Sequence, residues 1–196
     1  MPGFIRTAHS FLITLALLSG CTEFGWNPLD PKEWEDPQIP VPLVVVSWRT
    51  PPLSGREAVR RTLRQEDGDY VIEHRWPRAR GTQAHAGLRL EGRASTEMRA
   101  ARLANPAEGA ADWPELAVRS LTERGEVFLQ ADPRAGGDWL WQRALVGPEL
   151  CVLFARVPVA EPDGLQSGYF CQPAGDPLSD GQATGVVGDL TIVPQG

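Results

Sequence analysis

Histidines and carboxylates are the side chains of this sequence that could support hydrolytic chemistry. His74 stands beside Glu73 in a predicted strand, and alternation along a strand directs these two side chains to opposite faces. His85 lies in a predicted loop, and no serine stands in a nucleophile-elbow pattern. Two acids from distant positions could still form a glycosidase pair, and four acids lie in predicted turns: Asp132, Asp138, Glu149 and Asp163. We expect these acids to provide solubility and turn geometry, with a hydrolase as the alternative.

Arginines are concentrated in residues 49–102, which carry 12 basic and 7 acidic residues. Arg56, Arg60 and Arg64 recur at four-residue spacing, which would place them along one side of a helix predicted for residues 55–66. Three more follow in and after the next predicted strand: Arg75, Arg78 and Arg80. These six arginines predict a binding surface for an anionic glycan, a lipid head group or an acidic protein. The alternative is a solvated helix face whose local partners are glutamates of the same helix.

The N-terminus carries a different signal. Arg6 precedes a short apolar segment, residues 11–18, and the small residues Ser19 and Gly20 then lead into Cys21. A positive start, an apolar middle and small residues at the end are typical of a secretory leader. The apolar segment is shorter than the about 20 residues that a membrane-spanning helix needs. The order of the leader, the two small residues and the cysteine along the chain resembles the lipobox of bacterial lipoproteins.

This resemblance implies how the protein is processed and where it is held. Cleavage would fall just before Cys21, whose sulfur would carry a diacylglycerol, often with a third acyl chain on the new amino group. One acyl chain binds a membrane only marginally, whereas two or three hold a protein durably. Lipoproteins that stay in the inner membrane often have Asp after the cysteine, and here Thr22 follows. The resemblance therefore implies an outer-membrane lipoprotein facing the periplasm, with its membrane contact through Cys21.

The remaining chain suits one domain on a tether. Removal of residues 1–20 leaves 176 of the 196 residues, a typical length for a single core with a linker. Residues 21–42 are predicted to be an extended tether because prolines at this density favour semi-rigid chain; the prolines are Pro28, Pro31, Pro37, Pro40 and Pro42. Residues 43–196 are predicted to form one globular domain.

The charge is uneven along the chain. Residues 49–102 have a net charge of +5, and residues 103–196 have 5 basic and 13 acidic residues, a net charge of −8. Such asymmetry either marks a polyanion-binding face or reflects two halves that pack together and neutralise each other. In an exported, acidic protein it does not indicate nucleic-acid binding. We find no nucleotide-binding fingerprint and predict no cofactor.

Two cysteines remain after the lipidation site. In an exported protein, such a pair usually forms a disulfide, and the alternatives are free buried thiols, a metal site or a catalytic thiol. A hairpin turning near residue 161 would place Cys151 opposite Cys171, within the distance a disulfide spans. The loop between them would contribute roughly 3 kcal/mol of stability. No metal site is predicted, because histidines are few and no Cys-x-x-Cys motif is present.

Hydrophobic patterning predicts an α+β fold, an antiparallel sheet with two or three helices packed on one face. Helices are predicted at 55–66 from a Ser54–Glu57 capping box, at 112–124, and from Ser179 or Asp180 to about 188, with helical composition at 94–104. Strands are predicted at 43–49, 70–76, 87–93, 126–130, 139–146, 150–159, 168–171 and 190–193. Trp139 and Trp141 would share one face of their strand, in the core or as a platform for sugars.

Together these features predict a lipid-anchored envelope protein with a non-catalytic binding or scaffolding role. Its expected partners are the membrane, through Cys21, and an anionic glycan or another envelope protein. The alternative function is a lipid-anchored hydrolase that acts on cell-wall glycan.

Overall fold

A computed structural model describes residues 43–64, 69–79, 81–132, 134 and 136–195, all of which belong to one compact unit. The predicted leader, tether and lipidation site lie outside these residues. The described strands are β1 (Leu43–Trp48), β2 (Val59–Arg64), β3 (Tyr70–Trp76), β4 (His85–Glu91), β5 (Leu121–Gln130), β6 (Trp139–Val146), β7 (Glu149–Arg156), β8 (Leu165–Pro173) and β9 (Leu190–Gln195). The described helices are α1 (Thr96–Ala104), α2 (Pro114–Ala117), α3 (Asp180–Gly188) and a 3₁₀ helix (Pro106–Asp112).

Antiparallel sheets dominate the fold. Seven strands form one sheet in the order β2-β3-β4-β8-β7-β6-β5, and β1 pairs with β9 in a second, two-stranded sheet. The large sheet joins two meanders, β2-β3-β4 and β5-β6-β7-β8, through the pairing of β4 with β8. The predicted antiparallel sheet is therefore confirmed.

One face of the large sheet carries an apolar core rich in aromatic side chains. Trp76, Phe154 and Phe170 point to this face and pack against Trp48 of β1, whose ring lies 5.3 Å from that of Trp76. The second sheet and α3 cover this core, and the Trp48 indole donates a hydrogen bond to the Val186 carbonyl, at 2.7 Å.

The two tryptophans of β6 belong to the same core. Trp139 and Trp141 are 3% and 2% exposed. Trp139 packs edge-on against Phe154, and Trp141 stacks on Phe128 with 4.5 Å between ring centroids. The core interpretation of this pair is confirmed, because side chains this buried cannot offer a platform to sugars.

The opposite face of the sheet is covered by the 3₁₀ helix and α2. Trp113, between these two helices, packs edge-on against Tyr169 of β8 with 4.9 Å between ring centroids. Leu153 and the pair Cys151–Cys171 lie in the same cluster. Because α3 packs on one face and these helices on the other, the prediction that the helices share one face is wrong. Alternating side chains give each strand of this sheet two surfaces to bury, and β1 and β9 cover most of the aromatic one.

Two predicted helices are largely replaced by strands. Residues 59–64 form β2, which pairs along its whole length with β3, so the helix predicted from the Ser54 capping box is wrong. The helix predicted for residues 112–124 is limited to α2, and β5 begins at Leu121 opposite Val146. In both segments, pairing with the next strand of the chain outweighs local helix signals, which are a weak prior.

Candidate functional site

A cavity of about 390 Å³ opens at the edge of the sheet face that the 3₁₀ helix and α2 cover. Four arginines line it together with one acid, Glu115. The arginines come from three parts of the fold, namely β2, the end of β3 with the loop that follows, and the segment after α2: Arg61, Arg75, Arg78 and Arg119. The rest of the lining is formed by Val59, Trp76, Pro77, His85, Ala86 and Tyr169. We call this cavity the arginine pocket.

Buried His85 forms part of the pocket lining. It is the first residue of β4, and its Nε2 lies 3.1 Å from Oε2 of Glu149, the first residue of β7. Its Nδ1 lies 3.4 Å from the Tyr169 hydroxyl on β8, the strand between β4 and β7. Both ring nitrogens of His85 are therefore engaged by the protein itself.

Glu149 is the anionic centre behind this lining. It is 4% exposed and accepts hydrogen bonds from the guanidinium groups of Arg78 and Arg119 as well as from His85. Burial alone would raise the pKa of Glu149, but the hydrogen bond and charge of His85 and the two guanidinium charges outweigh it and lower the pKa. Glu149 is thus held as a carboxylate that fixes Arg78 and Arg119 at the pocket wall.

A second set of contacts orders the opposite wall. The Tyr169 hydroxyl donates to Glu115 at 2.5 Å, and Arg75 reaches Glu115 at 3.4 Å and Glu73 at 2.8 Å. Glu73 also accepts from Arg89 at 2.5 Å. Burial and the neighbouring Glu115 carboxylate raise the pKa of the Tyr169 hydroxyl well above its usual range. This tyrosine is therefore a neutral hydrogen-bond donor at physiological pH.

These contacts limit what chemistry the pocket can perform. Burial lowers the pKa of His85 more than the hydrogen bond and charge of Glu149 raise it. A general base needs a nitrogen within reach of a substrate proton, and both nitrogens of His85 face protein groups. The pocket is built to position guanidinium groups, which suits recognition of an anion.

Only part of the predicted arginine surface reaches this pocket. Arg75 and Arg78 line it, and Arg56 lies at its rim, where it donates to the Pro77 carbonyl. Arg60 is on the other face of β2, opposite His74. The side chain of Arg64 and the whole of Arg80 lie outside the described residues. The helical stripe of Arg56, Arg60 and Arg64 is therefore wrong, because the segment is a loop followed by a strand.

The predicted cysteine pair lies at disulfide distance, with 2.00 Å between the sulfur atoms. Cys151 of β7 and Cys171 of β8 are direct cross-strand neighbours, as the hairpin argument required. Both are fully buried beneath the 3₁₀ helix and α2. The disulfide therefore belongs to the core below the arginine pocket and lies apart from the cavity lining.

Sequence reasoning missed most of the pocket. The sequence predicts a loop for His85 and a turn for Glu149, whereas each begins a strand and is almost fully buried. No sequence pattern distinguishes Arg119 or Tyr169. One signal is available for Glu149, because this charged residue stands directly before the long apolar run of β7. A predicted strand that began one residue earlier would include it.

Across the residues that the structure describes, no group of three histidine, cysteine, aspartate or glutamate side chains could hold a metal ion. Within the same part of the chain, no helix is both long enough and apolar enough to cross a bilayer. Comparisons with protein-family models, curated proteins and solved structures found no match to this chain.

Proposed function

We propose that this protein is a lipid-anchored lipoprotein of the bacterial envelope whose domain binds a small anionic group in the arginine pocket without catalysing a reaction. The observation that carries the proposal is the convergence of four arginines on one cavity, where a single acid lines it among the residues the structure describes. Carboxylates and phosphates are the groups that the planar guanidinium fork recognises best. The acidic group of an envelope glycan meets this description.

The pairing of the arginines with glutamates is compatible with binding. Each guanidinium has five N–H donors, and the contacts of Arg78 and Arg119 with Glu149 leave other donors for a ligand. Arg78 has 42% of its side chain exposed, so its free edge is accessible from the pocket side. Glu149 thus supports the proposal by fixing these side chains in advance, which reduces the ordering cost of binding.

The dimensions of the cavity favour a small ligand over a flat protein surface. About 390 Å³ lies at the lower end of the range for small-molecule sites. Val59, which is 48% exposed, and Pro77 provide an apolar wall beside the guanidinium groups. A ligand with one acidic group and a compact sugar-sized body suits this combination.

The hydrolase alternative has less support. Glycoside hydrolysis needs two carboxyl groups facing the substrate, one of them protonated. Glu115, the one acid that lines the pocket, already accepts from Tyr169 and Arg75. This arrangement favours binding over hydrolysis.

Anchoring is proposed from the leader. Acylation of Cys21 would hold the domain at the membrane on residues 21–42, and Thr22 favours the outer membrane facing the periplasm. A Cys21→Ala variant should lose the lipid mass and leave the membrane fraction. Unchanged mass and fractionation would refute the anchor without affecting the pocket.

Ligand binding is tested with the mature protein and two sugar probes. Glucuronate should raise the unfolding temperature and bind measurably by calorimetry, whereas glucose, which lacks the carboxylate, should not. An Arg78→Gln variant should bind glucuronate at least tenfold more weakly. The matched control is Arg124→Gln, which removes an equally exposed arginine outside the pocket. Equal affinity of the Arg78→Gln variant and the unmodified protein, or no binding at millimolar glucuronate, would refute the proposed ligand site.

A further inference from the structure

A second cavity, of about 530 Å³, lies at the start of α1. It is lined by the end of β4, the first residues of α1 and the turn before β8, and it shares no lining residue with the arginine pocket. Glu91, the last residue of β4, lines it and is only 6% exposed. In register, Glu91 lies opposite Leu165, which is buried with Leu103 of α1. The Glu91 side chain therefore lies on the sheet face that α1 covers.

Each arginine near Glu91 is bound to another carboxylate. Arg99 contacts Asp163 at 3.4 Å and Arg102 contacts Asp112 at 2.7 Å. The two remaining pairs are Arg89 with Glu73 at 2.5 Å and Arg93 with Asp69 at 3.5 Å. Within the described ranges, no hydrogen bond or ion pair reaches the Glu91 carboxyl group. Glu91 is thus the acid without an ion-pair partner among the charged side chains described around this cavity.

An unmatched buried carboxyl group is costly for a fold. A charge removed from water is normally paired or else neutralised by a shift of its pKa. Burial raises the pKa of Glu91, and the charges of Arg89 and Arg102 only partly oppose this. A positively charged ligand in the cavity beside Glu91 would supply the missing partner.

We propose that the cavity at the start of α1 is a binding site for a primary ammonium group, with Glu91 as its counter-ion. An ammonium group has three donors, and the cavity wall offers further acceptors beside Glu91. Asp163 is 74% exposed at its side chain, and Ser95 and Thr96 contribute hydroxyl groups. A quaternary ammonium fits less well because it has no donors and favours aromatic cages, and in the described part of the chain no aromatic residue lines this cavity.

The ammonium site is independent of the arginine pocket. It prefers a cationic ligand, whereas the arginine pocket prefers an anionic one. Arg93 and Arg99 also line this cavity, each in contact with an acid other than Glu91, so a cation beside Glu91 leaves those ion pairs intact. A cation restores the balance and favours the ionised form of Glu91, whose pKa burial raises. Lowering the pH therefore weakens the binding of an ammonium ligand.

The test is calorimetry of the mature protein with ethanolamine, ethylene glycol and choline as probes. Ethanolamine should bind, and its affinity should fall as the pH is lowered because protonation of Glu91 removes the counter-ion. Ethylene glycol and choline should bind at least tenfold more weakly. Equal binding of ethanolamine and ethylene glycol would overturn the proposal.

Variants locate the counter-ion. Glu91→Gln should weaken ethanolamine binding at least tenfold, and the matched control Glu97→Gln, which removes an exposed acid in the first turn of α1, should leave it unchanged. If Glu91→Gln does not fold, the Glu91 carboxyl ¹³C resonance of the unmodified protein should shift on titration with ethanolamine. Unchanged affinity in a folded Glu91→Gln variant, or an unmoved Glu91 resonance, would refute the site.

Discussion

Glu149 and His85 each begin a strand, and the large sheet brings them together although they are 64 residues apart in sequence. One strand, β8, separates β4 from β7, and the His85 imidazole reaches the Glu149 carboxylate at 3.1 Å. The same carboxylate holds Arg78 and Arg119. A single buried acid therefore connects the sheet to two segments outside it, the loop after β3 and the residues after α2.

Replacement of Glu149 by Gln should destabilise the domain by about 3 kcal/mol, because removing one partner of a buried ion pair leaves the others without compensation. The substitution keeps the size of the side chain and removes the charge that Arg78 and Arg119 share. Urea denaturation at pH 7 measures this loss as a lower midpoint.

The control for this substitution is Glu126→Gln, an exposed position of β5. Surface substitutions of this kind usually change stability by less than about 0.5 kcal/mol. If both variants unfold at the same urea concentration, Glu149 does not act as the buried counter-charge.

Much of the sheet was predictable because its strands carry their own signal. β6 spans residues 139–146 as expected from alternation and from paired tryptophans, and α3 starts after Ser179, whose hydroxyl accepts from the backbone N–H of Gln182. The Cys151–Cys171 pairing followed from counting residues to a Pro-Asp-Gly turn. In each case a short stretch of sequence contains the deciding information.

The parts that escaped prediction depend on pairing and burial that the local residue pattern does not show. Residues 59–64 have the capping and charge pattern of a helix, yet they pair with the edge of β3 and form β2. The arginine pocket combines β2, β3, β4 and β8 with α2, so its members share no local motif. Burial of Glu149 is also set by this assembly, since nothing beside it in sequence requires it.

His74 should make the domain less stable as the pH falls. Burial, with a smaller contribution from the charge of Arg60, lowers the pKa of His74 to about 4. The unfolded chain binds a proton near pH 6.5, and the folded protein excludes that proton until pH 4. Stability therefore declines as the pH falls from 6.5 to 4, and His74 accounts for about 3 kcal/mol of that loss.

A His74→Phe variant isolates this contribution. It keeps an aromatic ring beside Trp76 and removes Nε2, which is buried without a hydrogen-bond partner. Urea midpoints measured from pH 7 to pH 4 should fall less steeply in the variant. A smaller slope should remain, because the pKa of His85 is also lowered. Parallel curves for the two proteins would contradict the assignment.

Gly168 on β8 lies where the large sheet has no room for a side chain. A Cβ atom at this position would lie 2.4 Å from the Gly87 carbonyl oxygen and 2.6 Å from the Phe154 ring. The carbonyl belongs to the neighbouring strand β4 and cannot move without disturbing its pairing. Gly168→Ala should therefore destabilise the domain by about 3 kcal/mol, the upper end of typical overpacking costs, as measured by urea denaturation.

Gly181 in α3 is the matched control, because a Cβ atom there would meet no atom within 4 Å. Alanine is favoured over glycine in a helix by about 0.5 to 1 kcal/mol, so Gly181→Ala should raise the urea midpoint. The same chemical change is thus expected to act with opposite signs at the two glycines. A Gly168→Ala variant as stable as the unmodified protein would mean that β4 and β8 are not packed as closely as described. The position of His85 relative to Tyr169 and Glu149 would then lose its support, because it depends on that packing.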